Sequence, residues 1–339
     1  MKASHFRYDA AFLLESGERL PGLEIAYHQY GTLNAERDNV IWVCHALTAN
    51  SEAADWWPGM IGEGLLFDPG KDCVICANMI GSCYGSTYAL SGNPETGRPY
   101  FYDFPILTVR DMVRAQRLLA GHLGIQKIRL VIGGSMGGQQ ALEWACQAGE
   151  LVKYAVPIAT NARHSPWGIA FNEAQRMAIQ ADQTWGQAHP EAGLAGMRAA
   201  RAIALLSYRN YDTYRATQTD SGDNLIQDFR AASYQRYQGE KLARRFDAFA
   251  YWTLSCAMDS HHVGRDRGGL ENALKQVQAK VLAVGISTDI LFPVAEQKEI
   301  ARLVPNGTYV EIESRYGHDG FLIEVETLTR VIRDFLSRG

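Results

Sequence analysis

The chain has 339 residues, 47% hydrophobic and 21% charged, with 33 basic and 37 acidic side chains for a net charge of −4. That length holds one large α/β domain or two average ones, and the composition is that of an ordinary soluble enzyme. The charge gives no electrostatic footing for nucleic acid or an anionic membrane, and no apolar run approaches the ~20 residues of a membrane span.

Met1–Ala10 lacks the apolar core of a signal peptide, and six cysteines (Cys44, Cys73, Cys76, Cys83, Cys146, Cys256) are few for the length. The expectation is a cytoplasmic protein with six reduced core thiols. Residues 19–31 alternate apolar and polar side chains and predict an outer antiparallel strand. Residues 39–45 (Asn-Val-Ile-Trp-Val-Cys-His) read as a buried strand running into a small-residue loop, His45 to Asn50. The next strand spans 72–78; its Cys73-Val-Ile-Cys76 spacing would place the two thiols on opposite faces, which argues against a shared metal or redox pair. A glycine- and serine-rich loop covers 81–97, and 107–122 has helical periodicity.

A short β-branched run at 130–132 then enters Gly133-Gly134-Ser135-Met136-Gly137-Gly138 and leaves as a helix, with Ala141, Leu142 and Ala145 at helical spacing. A further strand is predicted at 154–160. From 165 to 266 no convincing strand occurs, only helical segments rich in Ala, Arg, Gln and Tyr. After Gly268 come a short helix, a strand at 280–286, a helix at 294–303, a strand at 308–313 and a final helix at 322–336. Strands alternating with helices imply a mostly parallel, doubly wound sheet, so the fold class is α/β. Residues 1–164 and 267–339 form the expected catalytic domain. Residues 165–266 form a helical lid over the carboxyl edge of the sheet, where open α/β sheets place their sites.

Strand, Gly-x-Ser-x-Gly, helix is the context of a nucleophile elbow. The sharp turn raises the Ser135 hydroxyl and aims the backbone N–H of Met136 at the same point, where a tetrahedral oxyanion would be stabilised. A second oxyanion donor is expected from the loop after the strand at 39–45, at the backbone N–H of Leu47. A serine needs a base, and the base needs an orienting acid. Asp289 follows the strand at 280–286, and His318 lies in the loop after 308–313, in the chain order an elbow of this type requires. Alone, Asp289 reads equally as a helix N-cap and His318 as a surface loop histidine; their joint placement favours a triad. His261-His262 has no acidic or histidine partner at metal spacing, so no metal site is expected.

Several segments together resemble the homoserine O-acetyltransferases of methionine biosynthesis, a family of the α/β-hydrolase fold. They are His45-Ala-Leu-Thr48, Asn78 to Gly85, Gly134 to Gly138, Leu206-Ser-Tyr-Arg209, Tyr237-Gln-Gly-Glu-Lys241, Met258-Asp259, Gly264-Arg265, Leu291-Phe-Pro293 and Gly317-His-Asp319. The resemblance covers nearly the whole chain, the helical stretch included. It implies a ping-pong acyl transfer from acetyl-CoA, a co-substrate rather than a permanently bound cofactor, to the hydroxyl of L-homoserine through a Ser135 acyl-enzyme. It also implies that Arg209 holds the amino acid's carboxylate, that Asp319 holds its ammonium, and that the chain forms a homodimer through the lid. The chain departs from the family pattern at Ser86–Pro94, where members often carry Gly-Pro-Ser, and at His261-His262, where they often carry His-Asp. The first departure is expected to border the site. A succinyl donor, a serine acceptor, a serine esterase and a non-catalytic binding protein of the same fold are the alternative readings.

Overall fold

The β-branched runs meet in one sheet. The computed structural model describes residues 2–338. Its eight main strands are β1 (Ser4–Tyr8), β2 (Leu23–Tyr30), β3 (Val40–Cys44), β4 (Cys73–Ala77), β5 (Ile128–Gly134), β6 (Val152–Ile158), β7 (Lys280–Ile286) and β8 (Gly307–Ile312). Their spatial order is β1-β2-β4-β3-β5-β6-β7-β8. β2 runs antiparallel to both its neighbours, and every pairing from β4 through β8 is parallel.

The central strands are buried on both faces, which is why they read as continuous apolar runs rather than alternating ones. Trp42, Ile75, Val131 and Ala283 face one core cluster, while Ile41, Val74, Leu130 and Val284 face the other. Helices α1 (Val109–His122) and α2 (Met136–Gln147) cover the first face. There the indoles of Trp42 and Trp144 both donate to Gln116 Oε1, at 3.2 and 2.8 Å. Thr108 and Asp111 form a reciprocal capping box that starts α1.

Between β6 and β7 the chain leaves the sheet. It forms α3 (Pro166–Gln180), α4 (Leu194–Tyr208), α5 (Tyr211–Gln218), α6 (Arg230–Ala243) and α7 (Ala248–Asp259) before α8 (Leu270–Lys275). This helical insertion leaves and returns at one point. His164 N–H donates to the His261 carbonyl and Val263 N–H to the Ala162 carbonyl, both at 3.0 Å. Just past that neck, Arg267 forks onto Glu143 of α2 with contacts of 2.5 and 3.0 Å, and Arg110 reaches the same carboxylate at 3.3 Å. Helices α9 (Val294–Leu303) and α10 (Val325–Ser337) complete the chain. Among the described residues no helix is long and apolar enough to cross a membrane.

The strand predicted at 19–31 breaks at Pro21-Gly22 into Arg19–Leu20, which pairs with Phe12–Leu13, and β2. Proline has no N–H for a ladder, and β2 is not the edge, because β1 pairs outside it. The final helix also divides. Gly320–Ile323 ends at Glu324 (ψ 47°) before α10 begins, and Phe321 in that short turn sets its ring edge-on to His318. Cys73 and Cys76 do face opposite clusters, but only Cys44, Cys73 and Cys76 are fully buried; Cys83, Cys146 and Cys256 are half-buried.

Candidate active site

At the elbow Ser135 is held at φ 59°, ψ −127°, a left-handed backbone that an L side chain adopts only under constraint. The constraint is visible. Ser135 N–H donates to the Ile158 carbonyl at 2.9 Å, and the Ser135 carbonyl accepts from Gly138 N–H and the Thr160 hydroxyl, each at 2.8 Å. A Cβ on Gly137 would stand 2.2 Å from the Cys44 carbonyl oxygen, so only glycine lets α2 start this close to β3. Met136 opens α2, so its N–H belongs to the helix's unsatisfied first turn.

The loop after β3 is pinned by its own histidine. His45 Nε2 accepts from Met79 N–H at 3.1 Å, which leaves Nδ1 protonated to donate to the Ala46 carbonyl at 2.9 Å. Burial pushes its pKa down to about 4, so the ring stays neutral and the loop carrying Leu47 keeps one geometry.

Asp289 is not the cap of α9; Pro293 occupies that position. Its Oδ1 instead accepts from Leu291 and Phe292 N–H at 2.8 and 2.9 Å, and Oδ2 accepts from His318 Nδ1 at 2.6 Å. The His318 ring is caged by Phe292, Phe321 and Tyr208, with centroids 5.2, 5.4 and 5.7 Å away. Burial is the largest influence on this histidine and lowers its pKa. The charge and hydrogen bond of Asp289, with the charge of Asp319, together outweigh burial and raise it above 6.5.

Ser135 and His318 line one cavity of about 460 Å³, together with Leu47, Arg201, Tyr208, Arg209, Lys241, Arg245 and Asp319. No hydrogen bond joins Ser135 to His318 among the described residues, and such bonds tighten around bound substrate. Gly317, at φ 64°, brings the histidine loop onto the helical insertion: a Cβ there would lie 2.9 Å from the Arg209 carbonyl carbon. That approach sets Arg209 Nε 3.1 Å from Asp319 Oδ2. The contact is an ion pair without hydrogen-bond alignment, since Arg209 Nε has no hydrogen-bond partner. Burial raises the Asp319 carboxyl, against the pull of Arg209, His318 and Arg201.

Two cations of this cavity escaped the sequence reading, Arg201 in α4 and Arg245 just beyond α6, and a third, Lys241 in α6, entered it only within the segment Tyr237–Lys241, without a role. Arg245 donates to the Thr48 carbonyl at 2.6 Å and to the Tyr84 hydroxyl. One signal was present: Arg201 and Tyr208 stand seven residues apart, two turns along one helix face. The loop at Ser86–Pro94, expected to border the site, instead braces β2 over the stretch where β4 no longer pairs with it. Ser86 Oγ accepts from Ala26 N–H at 3.1 Å and Thr87 Oγ1 from Glu24 N–H at 2.8 Å. His261 and His262 spend ring nitrogens on backbone, at the Asn161 carbonyl (3.1 Å) and Gly264 N–H (3.0 Å).

This arrangement provides a strained serine, an oriented histidine, two candidate oxyanion N–H groups and an opposite-charge pair beside them, suited to acyl transfer to a charged small molecule. Comparison with known proteins bears on the fold and the family. Residues 39–325 match the model of the alpha/beta hydrolase fold family. The homoserine O-acetyltransferase of Cyclobacterium marinum is 52% identical over 330 residues, covering 97% of this chain and 94% of that protein. Among solved structures, esterase E22 (25% identical, 99% of each chain) and the homoserine O-acetyltransferase of Bacillus anthracis (25% identical, 99% and 98%) each superpose with a TM-score of 0.91.

Proposed function

The chain belongs to the homoserine O-acetyltransferase family, acyltransferases of the alpha/beta hydrolase fold, and from that premise we propose that it carries acetyl from acetyl-CoA to the hydroxyl of L-homoserine through an ester on Ser135. In the first half-reaction Ser135 Oγ attacks the thioester carbonyl while His318 Nε2 takes the hydroxyl proton. The tetrahedral oxyanion is received by the N–H groups of Met136 and Leu47, and its collapse expels the CoA thiolate, which leaves with the proton from His318. In the second, His318 deprotonates the homoserine hydroxyl, that oxygen attacks the Ser135 ester, and Ser135 recovers its proton. Asp289 fixes the ring through its hydrogen bond with His318 Nδ1 and takes no part in the proton transfers. Because His318 acts as base only when neutral and its pKa is raised, transfer rises with pH through a value above 6.5.

What carries this reading is the Arg209–Asp319 pair beside the nucleophile. A zwitterionic acceptor offers each member a partner of opposite sign, the carboxylate to Arg209 and the ammonium to Asp319, so the ion pair is exchanged rather than broken. Residues 165–266 act as the lid of a catalytic domain formed by 1–164 and 267–339, keeping bulk water from the ester. The family resemblance further implies a homodimer built on that lid, where Tyr211 and Ile226 stand 76% and 90% accessible.

The test is CoA release by the purified protein, crossing acetyl-CoA and succinyl-CoA with L-homoserine, L-serine and no acceptor. Release that requires homoserine with acetyl-CoA is the expected result. The fold shared with esterase E22 favours ester hydrolysis as the second reading. Release indifferent to acceptor would establish it and remove the roles given to Arg209 and Asp319.

A further inference from the structure

Arg201 is set apart from the other buried and half-buried guanidiniums. Arg110, Arg176 and Arg267 each meet a carboxylate within 3.3 Å. Arg201 projects from α4 into the Ser135 cavity, its Nε buried without a hydrogen-bond partner, and among the described residues no carboxylate stands in ion-pair contact with it. What holds it is the Tyr208 ring, 5.3 Å below its guanidinium carbon. A half-buried cation with no anion is costly unless something else supplies the charge.

Asp319 is the one acid between two arginines. Arg209 lies in ion-pair contact with it, and Arg201 acts on it electrostatically from farther away. When an ammonium takes Asp319, Arg209 loses the one ion-pair partner it has among the described residues, and Arg201 loses the carboxylate it acts on. A single carboxylate, with two oxygens and about four lone-pair sites, can accept from both. We propose that Arg201 is the second arm of the acceptor site, closing with Arg209 on the α-carboxylate of the amino-acid substrate. The inference rests on the amino-acid acceptor proposed above and adds the residue that would make the carboxylate indispensable.

The experiment compares wild type, Arg201→Met and Arg201→Lys with acetyl-CoA as donor and two acceptors: L-homoserine and 2-aminobutane-1,4-diol, which lacks the carboxylate. The quantity read is the ratio of their kcat/KM values. Arg201→Met is expected to narrow that ratio by roughly 10–100-fold, mainly through KM for homoserine, the scale of one lost charge-assisted hydrogen bond. Arg201→Lys keeps the charge without the fork and should fall between. Thermal melting and fluorophosphonate labelling of Ser135 check that each variant is folded; should the Met variant not fold, the Lys variant alone must still narrow the ratio. An unchanged ratio in the folded variants, with a wild type that demands the carboxylate, overturns the role of Arg201 and leaves the acceptor reading standing. A wild type that uses both acceptors equally well overturns both.

Discussion

Two carboxylates divide what holds this molecule together from what it acts with. Glu143, at the root of the helical insertion, is saturated: Arg267 grips both its oxygens, Arg110 adds a third contact, and its side chain is only 2% exposed. Asp319, on the cavity wall, faces Arg209 at 3.1 Å without an aligned hydrogen bond. The first pair is committed to its own aligned fork and serves as a rivet. The second keeps its directional bonding capacity, so a substrate can enter it without first breaking a well-made fork. The same residue types thus serve opposite ends, and alignment rather than proximity decides which.

The division can be broken at several points. The largest effect belongs to Ser135→Ala, for which kcat should fall by about 10⁶-fold with thermal stability unimpaired; a clear drop in melting temperature would tie the elbow to the scaffold rather than to the site. Next, Glu143→Gln takes from Arg267 the carboxylate it forks onto, while Arg110 keeps Glu15 at 2.6 Å, and should cost about 3–5 kcal/mol in denaturant unfolding, with turnover per folded molecule preserved. Lost turnover at preserved stability would erase the distinction between the two pairs. Arg209→Met should do the reverse, lowering kcat/KM for homoserine by roughly 100-fold with little change in stability. Its single-turnover release of CoA should persist, and equal loss in both half-reactions would remove the residue from the acceptor site.

The smallest effect sharpens the comparison where root and triad meet. Glu296 binds the Asn161 side chain at the insertion's neck at 3.0 Å and feels the charge of Asp289. Burial pushes its carboxyl up to about 7 from an ordinary 4.5. The folded state therefore holds this proton more tightly than the unfolded one, and the stability it confers at low pH is lost as pH rises from 4.5 to about 7. Glu296→Gln should flatten that decline by on the order of 1–3 kcal/mol, read as the change in unfolding free energy between pH 4.5 and 8. An unchanged slope would mean that the carboxyl is already ionised when folded.

Much of this was legible from periodicity and turn chemistry. Lys280–Ile286 and Val294–Leu303 form the strand and helix predicted for them, because each has a single pattern that only one element satisfies. Ser4–Tyr8 escaped notice because Phe6 alone in that strand is buried, too little for an alternation. Asp289 and His318 could be placed because each follows a strand end, a position defined along the chain. Arg201, Lys241 and Arg245 could not be read as a group, because two helices and a loop must first be folded over the sheet to bring them into one cavity. The pairing of Arg209 with Asp319 came from the family resemblance and from no pattern in the chain: a hundred and ten positions separate the partners, and the glycine at 317 that admits the approach has no meaning until the helix it touches is in place.

The hydrogen-bonded neck at His164 and His261 makes the helical stretch a detour that ends where it began. Such a detour adds no net displacement to the path from β6 to α8, so its length and content can drift without disturbing the register of the strands. It can be exchanged whole, as a cassette, while Ser135, Asp289 and His318 keep their places. Arg209 and Arg201 travel with the cassette and Asp319 stays behind. A descendant that swaps it would inherit Ser135 and half of the proposed amino-acid site, and would have to find a new reason to keep the aspartate.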